Sequence, residues 1–190
     1  MAIVLPLLGC AKSFDMSGER LTTGPEWGVV IGSVLVKQVK RADERTKSRE
    51  SDQATFEFDI VQSQPGDPEG ETPYAERYRL RATAGEERIF ISRLRTGTYL
   101  VKSFAQERIV GAGGDLDLLI ESMAGEVRYV GRLLLEVPRQ ASRGKEYRFT
   151  VENAREPALN QISKDHPELA REVVDAPMRP RDSASPLPLP

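Results

Sequence analysis

The stretch GEVRYVGRLLLEV, residues 125–137, decides the fold class of this chain. Its apolar side chains recur at every second position, beginning at Val127 and ending at Val137, and charged side chains mark the alternate positions. Successive side chains of a β-strand point to opposite faces, so this spacing predicts a strand with one buried and one solvated face. The buried face is expected to run unbroken along Val127, Tyr129, Gly131, Leu133, Leu135 and Val137.

The same signal recurs on both sides of this stretch. Phe56, Phe58 and Ile60 alternate with acidic residues, and residues 27–36 are apolar in both phases, which is typical of a strand covered on both faces. Further segments of this kind lie at 74–82, 86–94, 97–105, 116–123 and 145–153. About seven or eight short strands separated by turn signals predict a mainly β chain, an antiparallel β-sandwich of the prealbumin-like or immunoglobulin-like type.

The composition excludes several classes of function. The chain has 190 residues, of which 39% are hydrophobic, enough for one domain with its own core. Its single cysteine excludes an internal disulfide, and its single histidine excludes a multi-histidine metal site within one chain. The net charge of −2 is spread over charges of both signs, so nothing favours nucleic acid as a partner. We expect no metal and no cofactor, and no apolar run approaches the about 20 residues of a membrane-spanning helix.

The first residues have features of a targeting signal. In Leu7-Leu8-Gly9-Cys10 a small residue precedes the only cysteine, which resembles the lipobox of bacterial lipoproteins. The resemblance implies cleavage before Cys10, acylation of its thiol and anchoring in the cell envelope, because several acyl chains together bind a membrane stably. Only nine residues precede Cys10 and none is Lys or Arg, which a start codon placed too far downstream would explain. The alternative is a buried N-terminal strand with an incidental free cysteine.

The boundaries of the chain's parts follow from these signals. We expect a signal and polar tether over 1–26, a β-sandwich over 27–152, C-terminal helices over 153–178 and a disordered tail over 179–190. Ala11 is not the aspartate that commonly retains lipoproteins at an inner membrane, which favours the outer membrane if the cell has two.

Two helices are expected after the last strand. Asn153 and Glu156 resemble a capping pair at the start of the first helix. His166 lies where a second helix is expected to begin, and Val173 and Val174 belong to the apolar stripe of that helix. A place at the start of a helix accounts for the presence of His166, so we expect no catalytic role for it.

Two motifs carry a resemblance to a known family. Leu94-Arg95-Thr96-Gly97-Thr98-Tyr99 has the form L-x-x-G-x-Y, and Ala124-Gly125 is followed by Tyr129-Val130-Gly131. They resemble segments of bacterial envelope lipoproteins whose sandwich is similar to the carboxypeptidase-regulatory-like and transthyretin-like folds. Arg95-Thr96 stands where a proline commonly precedes the glycine in that pattern. The resemblance implies a non-catalytic accessory or interaction domain.

No set of nucleophile, base and orienting residue can be named, so we expect that the chain is not an enzyme. The leading expectation is a structural or protein-interaction protein of the envelope that docks through one sheet face or through the charged loop from Lys37 to Gln53. The alternative is a glycan- or peptidoglycan-binding module that uses Tyr74 and Tyr78, with Trp27 expected in the core.

Two other motifs have ordinary structural explanations. GAGGD, residues 111–115, fits a hairpin loop better than a phosphate-binding loop, because no Gly-Lys-Ser/Thr follows. Asp115 and Asp117 fit solvated strand residues better than a calcium site, which needs more oxygen ligands.

Overall fold

Residues 11–16, 21–39, 54–64, 66, 71, 75–139 and 146–181 are described by a computed structural model of the chain. This part of the chain is mainly β, with two sheets and one helix. Its elements are β1 (Lys12–Ser13), β2 (Trp27–Val39), β3 (Thr55–Ser63), β4 (Arg77–Thr83), β5 (Glu87–Arg95), β6 (Gly97–Gln106), β7 (Gly113–Ser122), β8 (Val127–Pro138), β9 (Arg148–Glu152), α1 (Arg155–Asp165), β10 (Val173–Asp175) and β11 (Arg179–Pro180).

The strands form two mixed sheets. The six-stranded sheet has the order β1-β4-β3-β6-β7-β11; in the five-stranded sheet β10, β8, β2 and β5 follow one another, and β9 also pairs with β8. Because β2 pairs in parallel with β8, β10 with β8 and β1 with β4, the expectation of a wholly antiparallel sandwich is wrong. Alternating side chains indicate which face of a strand is buried, but not the direction of its neighbour.

The two sheets face each other across one apolar core. Phe56, Phe58 and Ile60 of β3 line it from the six-stranded sheet, as their alternation predicts, and each is at most 2% exposed. Val30 and Val34 of β2 line it from the five-stranded sheet. The mainly β prediction is confirmed, and the arrangement fits a β-sandwich.

A β-bulge in β8 divides the apolar stripe predicted for residues 125–137. The register between β2 and β8 shifts at this point, and Gly131 takes a φ of +90°, which glycine adopts without strain. Before the bulge, Val127 and Tyr129 point away from the sandwich core; after it, Leu133 and Leu135 point into the core. The prediction of a single unbroken buried face is therefore wrong, because one extra residue exchanges the two faces of a strand.

Helix α1 covers part of the outer face of the five-stranded sheet. Its Ala158 and Ile162 pack against Val29 of β2 and against Tyr129, and all four are buried. The Tyr129 hydroxyl accepts a hydrogen bond of 2.9 Å from the Ala154 N–H just before the helix. Strand β2 is thus buried on both faces, as predicted from its doubly apolar sequence.

The N-terminal segment, residues 11–16, closes one side of the sandwich. The Phe14 N–H donates to the Arg79 carbonyl of β4 at 2.9 Å, and the Met16 N–H donates to the Ile91 carbonyl of β5 at 2.8 Å. Between these contacts the chain crosses from one sheet to the other, and Phe14 is 0% exposed in the core. This part of the expected tether therefore belongs to the folded domain, and it covers two sheet edges that would otherwise be open.

The C-terminal segment, residues 166–181, closes the opposite side. In place of the second helix expected from His166, the chain forms turns and then β10, in which the β-branched Val173 and Val174 pair with the edge of β8. The chain next crosses to β11, which pairs with β7, and Met178 enters the core with 5% exposure. The prediction of two helices is wrong. Helix α1 forms, but no second helix follows it in the described residues; β10 pairs with the five-stranded sheet and β11 with the six-stranded sheet.

The motif Leu94–Tyr99 forms a corner between the two sheets. β5 ends at Arg95 in one sheet, Gly97 has a φ of +150°, and β6 begins in the other sheet. The Tyr99 hydroxyl donates to the Arg95 carbonyl at 3.0 Å while its ring is fully buried. This hydrogen bond fixes the corner.

Candidate functional site

A charged cleft of about 650 Å³ lies where the N-terminal segment crosses from β4 to β5. Its walls are the N-terminal segment, residues of β3 and β4, and the turn that joins β4 to β5. The described residues that line it include four cationic side chains (Lys12, Arg79, Arg81 and Arg88) and four anionic ones (Asp15, Glu57, Glu86 and Glu87). The cleft is therefore polar, with the two signs of charge in balance.

Cross-strand ion pairs position these charges. Arg79 and Arg81 of β4 reach Glu57 of β3 at 3.3 and 3.4 Å, and Arg88 of β5 pairs with Asp15 of the N-terminal segment. The three arginine side chains remain 52–68% exposed, whereas Asp15 is 6% exposed. Because exposed ion pairs contribute only about 0–1 kcal/mol each, Arg79 and Arg81 can exchange Glu57 for a carboxylate of a ligand at little cost, whereas Arg88 stays paired with the nearly buried Asp15.

Next to the cleft, Glu76 connects the N-terminal segment to the core. It accepts a hydrogen bond of 2.6 Å from the Tyr78 hydroxyl, and Lys12 Nζ lies 3.1 Å from the same carboxylate. Burial alone would raise the pKa of Glu76, but the hydrogen bonds from Tyr78 and Lys12 outweigh it and the pKa lies below its ordinary value. Burial is also the main cause that raises the pKa of Tyr78 above its ordinary value.

The residues named from sequence fall in different places. Cys10 and Tyr74 lie outside the described residues, as do residues 40–53 of the charged loop. Tyr78 is described: it is 4% exposed, and its ring packs against Phe14 in the core. Its ring therefore offers no surface on which a sugar can stack, and its hydroxyl donates to Glu76.

Trp27 is only partly buried, contrary to the expectation that it lies in the core. It lies on the outer face of the five-stranded sheet at the start of β2. The guanidinium carbons of Arg93 and Arg95 stand 4.5 and 5.2 Å from its ring centroid, distances typical of cation–π contacts. We call these three side chains the Trp27 patch.

A serine–carboxylate pair lies beside the cleft. Ser33 donates a hydrogen bond of 2.7 Å to Glu87, and Arg132 lies 3.7 Å from Glu87 and 2.6 Å from Glu152. Ser33 is 0% exposed, so its hydroxyl serves the packing at the bulge and is closed to a substrate. Sequence reasoning missed this cluster because its members are far apart in the chain and no local spacing links them.

The structure also shows where the glycine-rich motif, the two aspartates of β7 and His166 lie. Residues 107–112 form a hairpin connection between the antiparallel strands β6 and β7, but only the first two residues of GAGGD lie in it. Strand β7 begins at Gly113, inside the motif, where a phosphate site would need a helix. Asp115 and Asp117 are exposed on β7, and within the described ranges no group of three or more His, Cys, Asp or Glu side chains is placed to hold a metal. His166 lies at the end of α1 rather than at a helix start, since its N–H donates to the Ile162 carbonyl at 2.7 Å.

Comparisons with known proteins identify no family. A scan against protein-family models, a search of curated proteins and a search of solved structures each returned no match. In the described part of the chain, no helix has the length and apolar character needed to cross a bilayer.

Proposed function

We propose that this protein is a non-catalytic interaction domain of the bacterial cell envelope, held at a membrane by lipid on Cys10, and that it binds a partner segment of mixed charge in the cleft. The observation that carries the proposal is the cleft itself, with about 650 Å³ of space and four cationic and four anionic side chains among the described residues that line it. A protein segment with alternating acidic and basic residues complements such a surface, since electrostatic complementarity governs which partners bind.

The chemistry of the cleft supports binding more than catalysis. Its arginines are held by carboxylates of neighbouring strands, as Arg88 is by Asp15 and Arg79 by Glu57. The nearby hydroxyl of Ser33 is fully buried, and that of Tyr78 is committed to Glu76. The exposed hydroxyl of Ser13, which lines the cleft, donates to the Asp15 carbonyl at 3.0 Å. None of these described groups combines an exposed nucleophile with a side-chain base in hydrogen-bond reach, which covalent catalysis requires.

The anchoring proposal starts from the lipobox-like residues 7–10 and from the position of β1. Lys12, the first residue of β1, follows Cys10 by two positions, a span of about 7 Å in extended chain. A lipid on Cys10 would hold the domain and its cleft close to the membrane surface, the outer membrane if the cell has two. The kinship with carboxypeptidase-regulatory-like and transthyretin-like sandwiches, of the prealbumin-like or immunoglobulin-like type, belongs to the same proposal and is supported by the two facing sheets and the corner at Tyr99.

The proposal is tested by site-specific photo-crosslinking in the native envelope. A photoreactive phenylalanine at Thr83, inside the cleft, should yield a discrete adduct, and the same group at Val174, which is exposed on β10 across the sandwich, should not. The double variant R79Q/R81Q should abolish the adduct. R155Q is the matched control, because Arg155 forms a comparable exposed pair with Asp175 away from the cleft. An adduct that survives R79Q/R81Q would overturn the cleft as the binding site.

A second candidate function, glycan binding, is favoured by one observation. Tyr78 is buried, but Trp27 presents a partly exposed indole beside two arginines on the outer face of the five-stranded sheet. Aromatic and cationic side chains together are suited to acidic saccharides of the envelope.

A further inference from the structure

We infer that the Trp27 patch is a binding site for the carboxylate group of an acidic sugar. The inference deepens the glycan-binding candidate and rests on it; it is independent of the cleft and of the lipid on Cys10.

The patch lies beyond the region that α1 covers. Trp27 is the direct cross-strand partner of Arg95, and Arg93 is the partner of Val29, so the three patch side chains share the outer face of the five-stranded sheet. Val29 is buried under α1, whereas Arg95 is exposed and Trp27 partly exposed. A ligand can therefore approach at the end of the sheet without displacing the helix.

The two arginines of the patch lack carboxylate partners among the described residues. Elsewhere in the same ranges many arginines form ion pairs with Asp or Glu, among them those at 79, 81, 88, 128, 132, 155 and 179. Arg95 acts on Glu76 through its charge, as a minor cause of the lowered pKa of that carboxyl, without a direct ion pair. The Nε–H of Arg93 is buried and has no acceptor in the described structure. A buried donor without an acceptor is costly, and it shows that no acceptor of the described structure fixes the Arg93 guanidinium through this N–H.

The chemistry of the patch selects the class of ligand. A guanidinium group presents two parallel N–H donors that match the two oxygens of a carboxylate, and stacking on an indole holds that fork in a fixed plane. The part of the indole that the two guanidinium groups leave exposed supplies apolar surface for the C–H groups of a pyranose ring. A sugar that carries a carboxylate satisfies both requirements at once, whereas a neutral sugar leaves the guanidinium donors unmatched.

The single tryptophan of the chain reports directly on the patch. The intact protein is titrated with a glucuronate oligosaccharide at constant ionic strength while Trp27 fluorescence is followed, with a neutral glucose oligomer as the comparison. We expect a saturable change with the glucuronate oligomer only. R93K and R95K keep the charge but remove the planar fork, and each should weaken binding about tenfold or more. R148Q is the matched control on exposed β9 and should bind as the wild type does.

The other outcomes are decisive as well. An equal response to the neutral oligomer, an unchanged affinity in R93K and R95K, or no saturable response at all would each overturn the inference. Tighter binding of inorganic phosphate than of glucuronate would reassign the patch to phosphate groups, and binding only to phosphatidylglycerol vesicles would reassign it to a lipid surface; both contradict the sugar assignment. Cross-linking through Thr83 does not involve this patch, so failure here and failure of the cleft proposal are distinguishable.

Discussion

At the scale of single residues, Phe14 shows how the N-terminal segment becomes part of the domain. Its ring is fully buried against Tyr78 and Phe90, with centroid distances of 5.8 and 5.3 Å. We predict that F14A lowers the free energy of unfolding by about 3–5 kcal/mol, measured by urea denaturation. V110A removes methyl groups from a side chain that is 97% exposed and should change stability by less than about 0.5 kcal/mol. Equal stability of the two variants would show that Phe14 does not pack in the core.

Tyr78 makes the fold sensitive to alkali. Burial, followed by the hydrogen bond to Glu76, raises its pKa above the ordinary value, so the folded state favours the neutral phenol. The resulting stabilisation is present below the unfolded pKa of about 10 and is lost as pH rises above it. In Y78F the free energy of unfolding should fall less steeply between about pH 10 and 11. At pH 7 the variant should be less stable by about 1 kcal/mol, because the hydrogen bond to Glu76 is missing. Unfolding midpoints in urea across this pH range, followed by circular dichroism, check the slope; an unchanged slope in Y78F contradicts the assignment.

At the scale of elements, the bulge in β8 lets this one strand pack against α1 on the outer face of its sheet and against the core on the other face. It turns Val127 and Tyr129 toward α1 and the following leucines toward the core. A Cβ at Gly131 would lie 2.9 Å from Val151 Cγ1 and 3.3 Å from the Glu152 carbonyl oxygen, in addition to the strain of a φ of +90°.

We predict that G131A destabilises the domain by about 2–4 kcal/mol, from backbone strain and contact with β9 together. Gly85 is the matched control, because its φ is +84° and a Cβ there would meet nothing within 4 Å. G85A should therefore cost only about 1 kcal/mol, the strain alone. Chemical denaturation of both variants measures the difference; equal costs would mean that the contact with β9 has no effect.

The elements also show how far sequence reasoning reaches. The inward faces of β3 and β4 were predictable, since Phe56, Phe58, Tyr78 and Leu80 follow a strict period of two. The bulge was not, because Gly131 falls in the apolar phase and a stripe read from the sequence carries no information on an extra residue. Strands β1, β10 and β11 have two or three residues each, too few for any periodicity, and they form only because long strands leave edges to pair with.

At the scale of the whole molecule, the N-terminal segment, residues 11–16, and the C-terminal segment, residues 166–181, close the two sides of the sandwich. One segment inserts Phe14 between β4 and β5, and the other inserts Met178 between β8 and β7. The cleft could not be predicted from the sequence, because its lining residues Asp15, Glu57 and Arg88 are far apart in the chain and come together only in the folded domain. We predict that M178A costs about 2–4 kcal/mol in urea denaturation, as expected for a buried methionine. Stability equal to that of the wild type would contradict the closure by this segment.

Because β1 belongs to the folded domain, a lipid on Cys10 would be separated from that domain by Ala11 alone. Mass spectrometry of the N-terminus of the native protein shows whether Cys10 carries lipid. We expect a mature chain that begins at Cys10 and carries diacylglycerol on its thiol. A mature chain that keeps residues before Cys10, or that carries Cys10 as a free thiol, would contradict it.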